Sequence, residues 1–262
     1  MAQDPIAGAR AFLEFAVDLA EQAGRFVRPH YQSALDVELK SDRSPVTVAD
    51  RGAERLIREA IASRFPTHAI VGEEFGDDRR AASHRWFVDP IDGTRSFVHG
   101  VPLFGVLLGL EVDGEMLVGV CHLPALGDTI AAARGCGCAW NGRPARVTKT
   151  SALTEATIVY SDSRLLARRL GTGWDALQQA SLLQRGWGDC YGHCLVATGR
   201  ADVMLDPVMN PWDCAALVPI PQESGGRFTD WRGRSRIDGG DAVSTNGHLH
   251  DEILRALAGA VR

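Results

Sequence analysis

Trp86-Phe87-Val88-Asp89-Pro90-Ile91-Asp92-Gly93-Thr94 is the stretch on which the reading of the fold turns. Its three large apolar residues in a row read as a buried strand. The strand is expected to end in Asp89. Pro90 then fixes φ and stiffens the exit, and Gly93 permits a tight turn that sends Asp92 back toward Asp89. Two carboxylates three residues apart at a strand end make a dense negative pocket, which is costly unless cations neutralise it. All-oxygen donors select hard cations, and Mg2+ fits best because it keeps waters and shares ligands with a phosphate. The amides of Gly93 and Thr94 are then free to face an anion, as amides at a helix N-terminus do. Taken singly, Asp89 and Asp92 read as turn residues and Asp213 as a helix cap. The coincidence of so many special residues argues for the cation pocket.

Further acids belong to the same pattern. Gly72-Glu73-Glu74 follows a second short apolar run at Ile70-Val71, and Trp212-Asp213 opens a helical stretch. Asp50 stands at the start of a helix expected over residues 49–65. The Glu-Glu pair alone is a weak signal, and Glu74 reads as solvated. Helical spacing also covers residues 9–31. From 101 to about 147 the pattern turns to β, with a hairpin around Asp113-Gly114 and another suggested between 129–133 and 146–147 around Asn141-Gly142. The first half thus reads as two helices plus an antiparallel sheet. After about residue 150 strands and helices alternate: strands at 157–160 and 201–204, and helices at 164–170, 174–182, 190–198, 213–223 and 248–261. That is the grammar of an α/β layered half. The change divides residues 1–150, with most of the acids, from 151–262, with Asp213, inside one continuous unit. Pro219 and Pro221 should kink or shift the helix that follows Asp213.

Composition excludes whole classes. The 262 residues carry a formal charge of −5 and are 45% hydrophobic, too apolar for disorder and without the clustered basic charge of nucleic-acid or polybasic membrane binders. Glu14 and Asp18 interrupt the apolar residues near the N-terminus, which argues for an amphipathic helix and against a signal peptide. With no apolar run long enough to span a bilayer and six cysteines in no disulfide-scaffold pattern, the expectation is a cytoplasmic protein with reduced thiols. Cys121, His122, Cys136 and Cys138 form a conceivable zinc set, but neither pair has zinc-knuckle spacing.

Gly72-Glu73-Glu74, the 86–94 segment and Trp212-Asp213-Cys214-Ala215-Ala216 resemble the three signatures of the inositol monophosphatase family of Mg2+-dependent phosphatases. The resemblance runs in the same order from about residue 10 to 260. Gly188-Asp189-Cys190-Tyr191-Gly192, residues 196–202 and 226–231 are most similar to its histidinol-phosphate phosphatase branch. The resemblance implies an α-β-α-β-α layered sandwich, a homodimer, lithium sensitivity and hydrolysis of a small phosphomonoester. It implies Glu73, Asp89, the Ile91 carbonyl, Asp92 and Asp213 as ligands of two or three Mg2+ ions, with Asp89 bridging two and Asp50 assisting a looser third. It places Lys40 and residues 41–46 beside that third site, although Lys40 also reads as a surface lysine. Thr94 with Glu73 would orient and deprotonate the attacking water, and the Gly93 and Thr94 amides would hold phosphate oxygens.

Substrate choice is expected in the second half. Asp206 falls where the family contacts the leaving group. Asp189 replaces a small neutral residue of inositol-cleaving relatives, so the pair suits a cationic leaving group such as histidinol. Asp189 also reads as a cap of the 190–198 helix. Asn210 is a weak candidate for the same wall, and Arg95 reads as a solvated arginine. His99, His122, His193 and His250 read as packing or surface residues. The alternatives are an inositol-1-phosphate or broad sugar-phosphate phosphatase and, in another class, a regulatory protein-binding member of the family. With the five assigned acids Asp50, Glu73, Asp89, Asp92 and Asp213 set aside, acids and bases balance at 28 each, so the net acidity reads as one local cation site.

Overall fold

The computed structural model describes residues 5–34, 37–40, 45–78 and 81–258. The chain opens with α1 (Pro5–Val27), whose buried Ala9, Ala16, Leu19, Ala20, Ala23 and Val27 follow the helical repeat. A ribbon of β1 (Glu38–Leu39) and β2 (Pro45–Val46) precedes α2 (Val48–Arg64). Then come β3 (Ala69–Gly72), β4 (Gly76–Asp77), β5 (His84–Asp92) and the short α3 (Thr94–Val98). The antiparallel run continues through β6 (Gly105–Val112), β7 (Glu115–Leu123), β8 (Asp128–Ala133), β9 (Gly137–Trp140) and β10 (Arg143–Pro144). The rest is β11 (Thr157–Tyr160), α4 (Ser163–Leu170), α5 (Thr172–Ala180), β12 (Leu183–Arg185), α6 (Asp189–Ala197), β13 (Val203–Asp206), α7 (Pro211–Leu217), α8 (Pro219–Glu223), β14 (Arg227–Thr229), β15 (Ala242–Thr245) and α9 (His250–Leu257).

Among the described residues two large sheets form, ordered β10-β9-β8-β7-β6-β5-β3-β4 and β12-β11-β13-β15-β14. Strand alternation then builds the layers. Val106, Leu108, Leu110, Val118 and Val120 turn to one face of the first sheet and pack with α1 and α2. Leu107, Cys121, Leu123 and Ile130 turn to the other face and pack with α6, α7 and α8. Those helices also meet the second sheet through Val159, Met204 and Phe228. On its far side, Ile158, Val203, Leu205 and Val243 pack with α4, α5 and α9. The order helix, sheet, helix, sheet, helix is the layered sandwich that the resemblance implied. No helix among the described residues is long and apolar enough to cross a membrane.

Two hairpins follow their turn dipeptides. Asp113 (φ 51°) and Gly114 (φ 85°) join β6 to β7, and Asn141 (φ 49°) and Gly142 (φ 75°) join β9 to β10. The second hairpin closes earlier than expected. Residues 146–147 are not a strand, because the Val147 amide leaves the sheet and donates to the Ser224 carbonyl at 3.2 Å. The first sheet is mixed, since β3 pairs with β5 in parallel. β5 does not stop at Asp89. A register shift between Asp89 and Asp92 absorbs Pro90, so the strand carries both carboxylates. The helix after Asp213 is broken at Val218, and Pro219 starts α8 where its missing N–H does no harm. β12, β14 and β15 were not expected. Residues 41–44, and the end of the helix expected over 248–261, lie outside the described residues.

Candidate active site

The site forms in the middle layer. On β5, Trp86 and Val88 face α1 and α2, so Asp89 faces α7. The same alternation turns Asp206, two residues after Met204 on β13, toward α6. Asp213 occupies the third position of α7 and accepts the Asn210 amide at 2.7 Å and its side-chain amide at 3.2 Å in a capping box. Asn210 therefore serves Asp213 as the helix cap. What presses α7 onto the sheet is two glycines. A Cβ at Gly109 would lie 2.7 Å from Ala215, and one at Gly119 would lie 2.0 Å from the Ala216 carbonyl oxygen.

This packing brings Asp89, Asp92 and Asp213 together, with one oxygen of each within 4.8 Å of the others. Asp89 is buried, and its Oδ1 accepts the Ile91 amide at 3.0 Å. Burial is the largest cause that raises all three, followed by the charges of their neighbours. Asp92 and Asp213 rise to about 7, and Asp89 stands well above the carboxylate range. A carboxylate set that repels itself this strongly fits a divalent cation held by hard oxygen donors. Asp50, wholly buried on α2, adds to that fit: its Oδ2 is bonded to the Thr47 amide (2.8 Å) and hydroxyl (2.6 Å), while Oδ1 is buried without a partner.

Glu73 stands beside this trio, since its charge helps to raise Asp89, Asp92, Asp213 and Asp50. Its Oε1 is held by the Lys40 ammonium at 2.7 Å. Lys40 also pairs with Glu74 at 2.6 Å. Burial opposes the charge on Lys40, but the two carboxylates outweigh it and hold the ammonium above its usual range. Lys40 is thus not a free surface lysine. Glu74 is not solvated either; its side chain is nearly buried, and burial raises its carboxyl to about 7 against the pull of Lys40.

Gly93 takes a left-handed conformation (φ 78°) and caps α3. That places the Gly93 and Thr94 amides at a helix start, where no preceding turn accepts from them. The Thr94 hydroxyl donates to the Ile91 carbonyl at 3.0 Å. Beside Gly93, Asp189 is the first residue of α6, with a left-handed φ of 54°, and its Oδ2 lies 3.2 Å from where a Gly93 Cβ would stand. The N-cap position of α6 belongs to Gly188. The Cys190 amide at the same helix start is taken by Asp92 Oδ2 at 2.6 Å. Burial raises Asp189 to about 7, Asp92 adds to the rise, and the charge of the exposed Arg95 opposes it. Asp206 is buried beyond it, and burial first and Asp189 next hold it well above its usual range. Ser161 donates to its Oδ1 at 2.8 Å.

The histidines lie elsewhere. His193 on α6 and His250 on α9 are buried against the second sheet, bonded to Ser244 and to Thr245 and Thr229. His122 bonds to Thr129, and His99 is exposed. Cys121, Cys190 and Cys194 are buried together in one core cluster. The residue that the sequence left unnoticed is Glu54, buried one turn after Asp50 on α2. The signal was a charged residue among Ala49, Ala53, Ile57 and Ile61, the apolar face of that helix.

Comparison with known proteins agrees with this geometry. The profile of the inositol monophosphatase family matches residues 9–262. The histidinol-phosphatase of Chlorobaculum parvum is 46% identical over 253 residues, which cover 95% of this chain and 98% of that one. The histidinol-phosphatase of Mycobacterium tuberculosis is 39% identical, with 94% and 97% covered. The crystal structure of the extragenic suppressor protein suhB from Bartonella henselae superposes with a TM-score of 0.89 at 29% identity, over 96% of this chain and 100% of that one. The chain belongs to the inositol monophosphatase family and is a phosphatase.

Proposed function

We propose that this phosphatase is Mg2+-dependent and converts L-histidinol phosphate and water to L-histidinol and phosphate, in the cytoplasm and as a homodimer, within histidine biosynthesis. The observation that carries the reading is the pair Asp189 and Asp206 beside the three-aspartate cluster. Asp189 Oδ2 lies 3.2 Å from where a Gly93 Cβ would stand, Asp92 raises both carboxyls and Asp189 raises Asp206, so a second acidic wall borders the cation site. A leaving group with an ammonium and an imidazole supplies the missing positive charge, through charge-assisted hydrogen bonds. The likeness to the two histidinol-phosphatases supports the same choice.

In this reading the two halves of the chain divide the work near residue 150. Glu73, Asp89, Asp92, Asp213 and the Ile91 carbonyl would hold two or three Mg2+ ions, with Asp50 assisting. Bound Mg2+ supplies Lewis acidity that makes water a better nucleophile and offsets charge on the phosphate. The Gly93 and Thr94 amides hold non-bridging phosphate oxygens. Thr94 Oγ1, oriented by its bond to Ile91, positions the attacking water, and Glu73 takes its proton. Lys40, which pairs with Glu73, would contact the phosphate. Asp189 and Asp206 hold the cationic leaving group in line with the attack.

The test is kcat/KM with Mg2+ on histidinol phosphate, inositol 1-phosphate and fructose 1,6-bisphosphate. Histidinol phosphate should lead. Asp189→Asn should cost it about 10- to 100-fold, the worth of one hydrogen bond to a charged group, and spare inositol 1-phosphate. Equal or better turnover of inositol 1-phosphate by the unaltered protein refutes the assignment.

A further inference from the structure

Asp50, Glu54 and Arg58 recur every four residues along α2, which sets them on one face. That face lies under the turn between β3 and β4. Glu54 is a carboxylate with no exposed surface. Its two oxygens are fully engaged. Oε2 accepts the Glu74 amide at 2.6 Å, and Oε1 accepts the Phe75 amide at 3.2 Å and Arg58 Nε at 2.7 Å. Arg58 reaches past it to the Gly76 carbonyl. The chain crosses directly over this carboxylate: a Cβ at Gly72 would lie 2.0 Å from Glu54 Oε1. On the other side, the Glu73 amide donates to the Val88 carbonyl of β5 at 3.1 Å, next to Asp89. Glu73 is therefore bracketed, with its own amide tied to the strand and the next two amides tied to Glu54. Its backbone has little freedom left, and its carboxylate stands beside Asp89, whose carboxyl it helps to raise.

We propose that Glu54, with Arg58 as its counter-charge, is a positioning residue for the cation site: it fixes the Glu73 carboxylate against Asp89 before any cation arrives. This rests on the reading of Glu73 as a metal ligand. Partners that orient a ligand commonly change metal affinity by about 10- to 100-fold. A residue needed only for folding would change thermal stability and leave the affinity of the folded protein alone.

The experiment is calorimetric titration of the metal-free, full-length protein with Mn2+, alongside thermal unfolding and the Mg2+ dependence of phosphatase activity. Glu54→Gln keeps the shape and an acceptor for one amide but discharges the pair. Arg58→Gln keeps the Glu54 carboxylate, and it decides the matter alone if Glu54→Gln does not fold. Both should weaken Mn2+ binding by about 10-fold or more and raise the Mg2+ requirement by a similar factor. Glu73→Gln is the calibrating variant. Wild-type Mn2+ affinity in a folded Glu54→Gln or Arg58→Gln protein, with loss in Glu73→Gln, overturns the positioning role. Wild-type affinity in Glu73→Gln overturns Glu73 as a ligand, and the proposal with it.

Discussion

Replacing Gly119 with alanine should damage catalysis at a distance, through α7, which packs on the same face of the sheet as Asp89. The added Cβ would stand 2.0 Å from the Ala216 carbonyl oxygen and 3.1 Å from Pro219 Cδ. Carbon and carbonyl oxygen do not pack closer than about 3.3 Å, so α7 must retreat by about 1 Å or the strand must yield. Both neighbours of Gly119 in the sheet are paired: Gly109 on β6 and Ala132 on β8 hold β7 in place. The retreat therefore falls mainly on α7, a helix of seven residues that also carries Asp213. Overpacking of this kind costs about 1–3 kcal/mol, and each kcal/mol lowers Tm by about 2–4 °C in a chain of this size. A displacement of about 1 Å in a catalytic constellation can cost about 100-fold in rate. The assay is kcat/KM on the best phosphomonoester at saturating Mg2+, paired with Tm. Gly114→Ala is the control, because its φ of 85° strains an alanine while nothing lies within 4 Å of the new methyl. It should lower Tm by a similar amount and leave kcat/KM unchanged. If Gly119→Ala lowers Tm but keeps kcat/KM within a factor of about two, where the 100-fold expectation is so much larger, the glycine contact does not set the position of Asp213.

Two further outcomes follow from the electrostatics. Asp92→Asn should abolish activity, yet the metal-free protein should melt no lower than the unaltered one at pH 8, because the substitution removes a buried charge that Asp213 repels; retained activity would refute the cation site. His193 and His250 are buried, and burial is the main cause that lowers them to about 3 and about 4. The unfolded chain binds their protons near pH 6.5, so stability present above that pH is lost as pH falls through 6 toward 4. The slope approaches about 1.4 kcal/mol per pH unit for each imidazole. Urea unfolding of the Mg2+-loaded protein between pH 7 and 5 should show it, and His193→Asn should shallow the slope; identical slopes would rule out His193 as a contributor.

The sequence by itself determined what short-range chemistry determines. The helical repeat marked α1 and α2, paired left-handed turn residues marked two hairpins, and the string from Trp86 to Thr94 marked a strand loaded with carboxylates. It did not reveal that β5 runs on through Pro90, because only the register against β6 shows that a bulge absorbs the proline. Nor did it reveal β14 and β15, whose few residues are strands only through pairing with each other and with β13. The tertiary structure alone decided that Asp213 meets Asp89, through two glycines that let a helix lie against β6 and β7. It alone decided that the Asp92 carboxylate takes the first amide of α6, joining the cation cluster to the helix that bears Asp189. Residue type and spacing fix local conformation and the chemistry on offer. Which carboxylates share one pocket, and so repel one another enough to need a cation, depends on close packing between segments that the chain keeps more than a hundred residues apart.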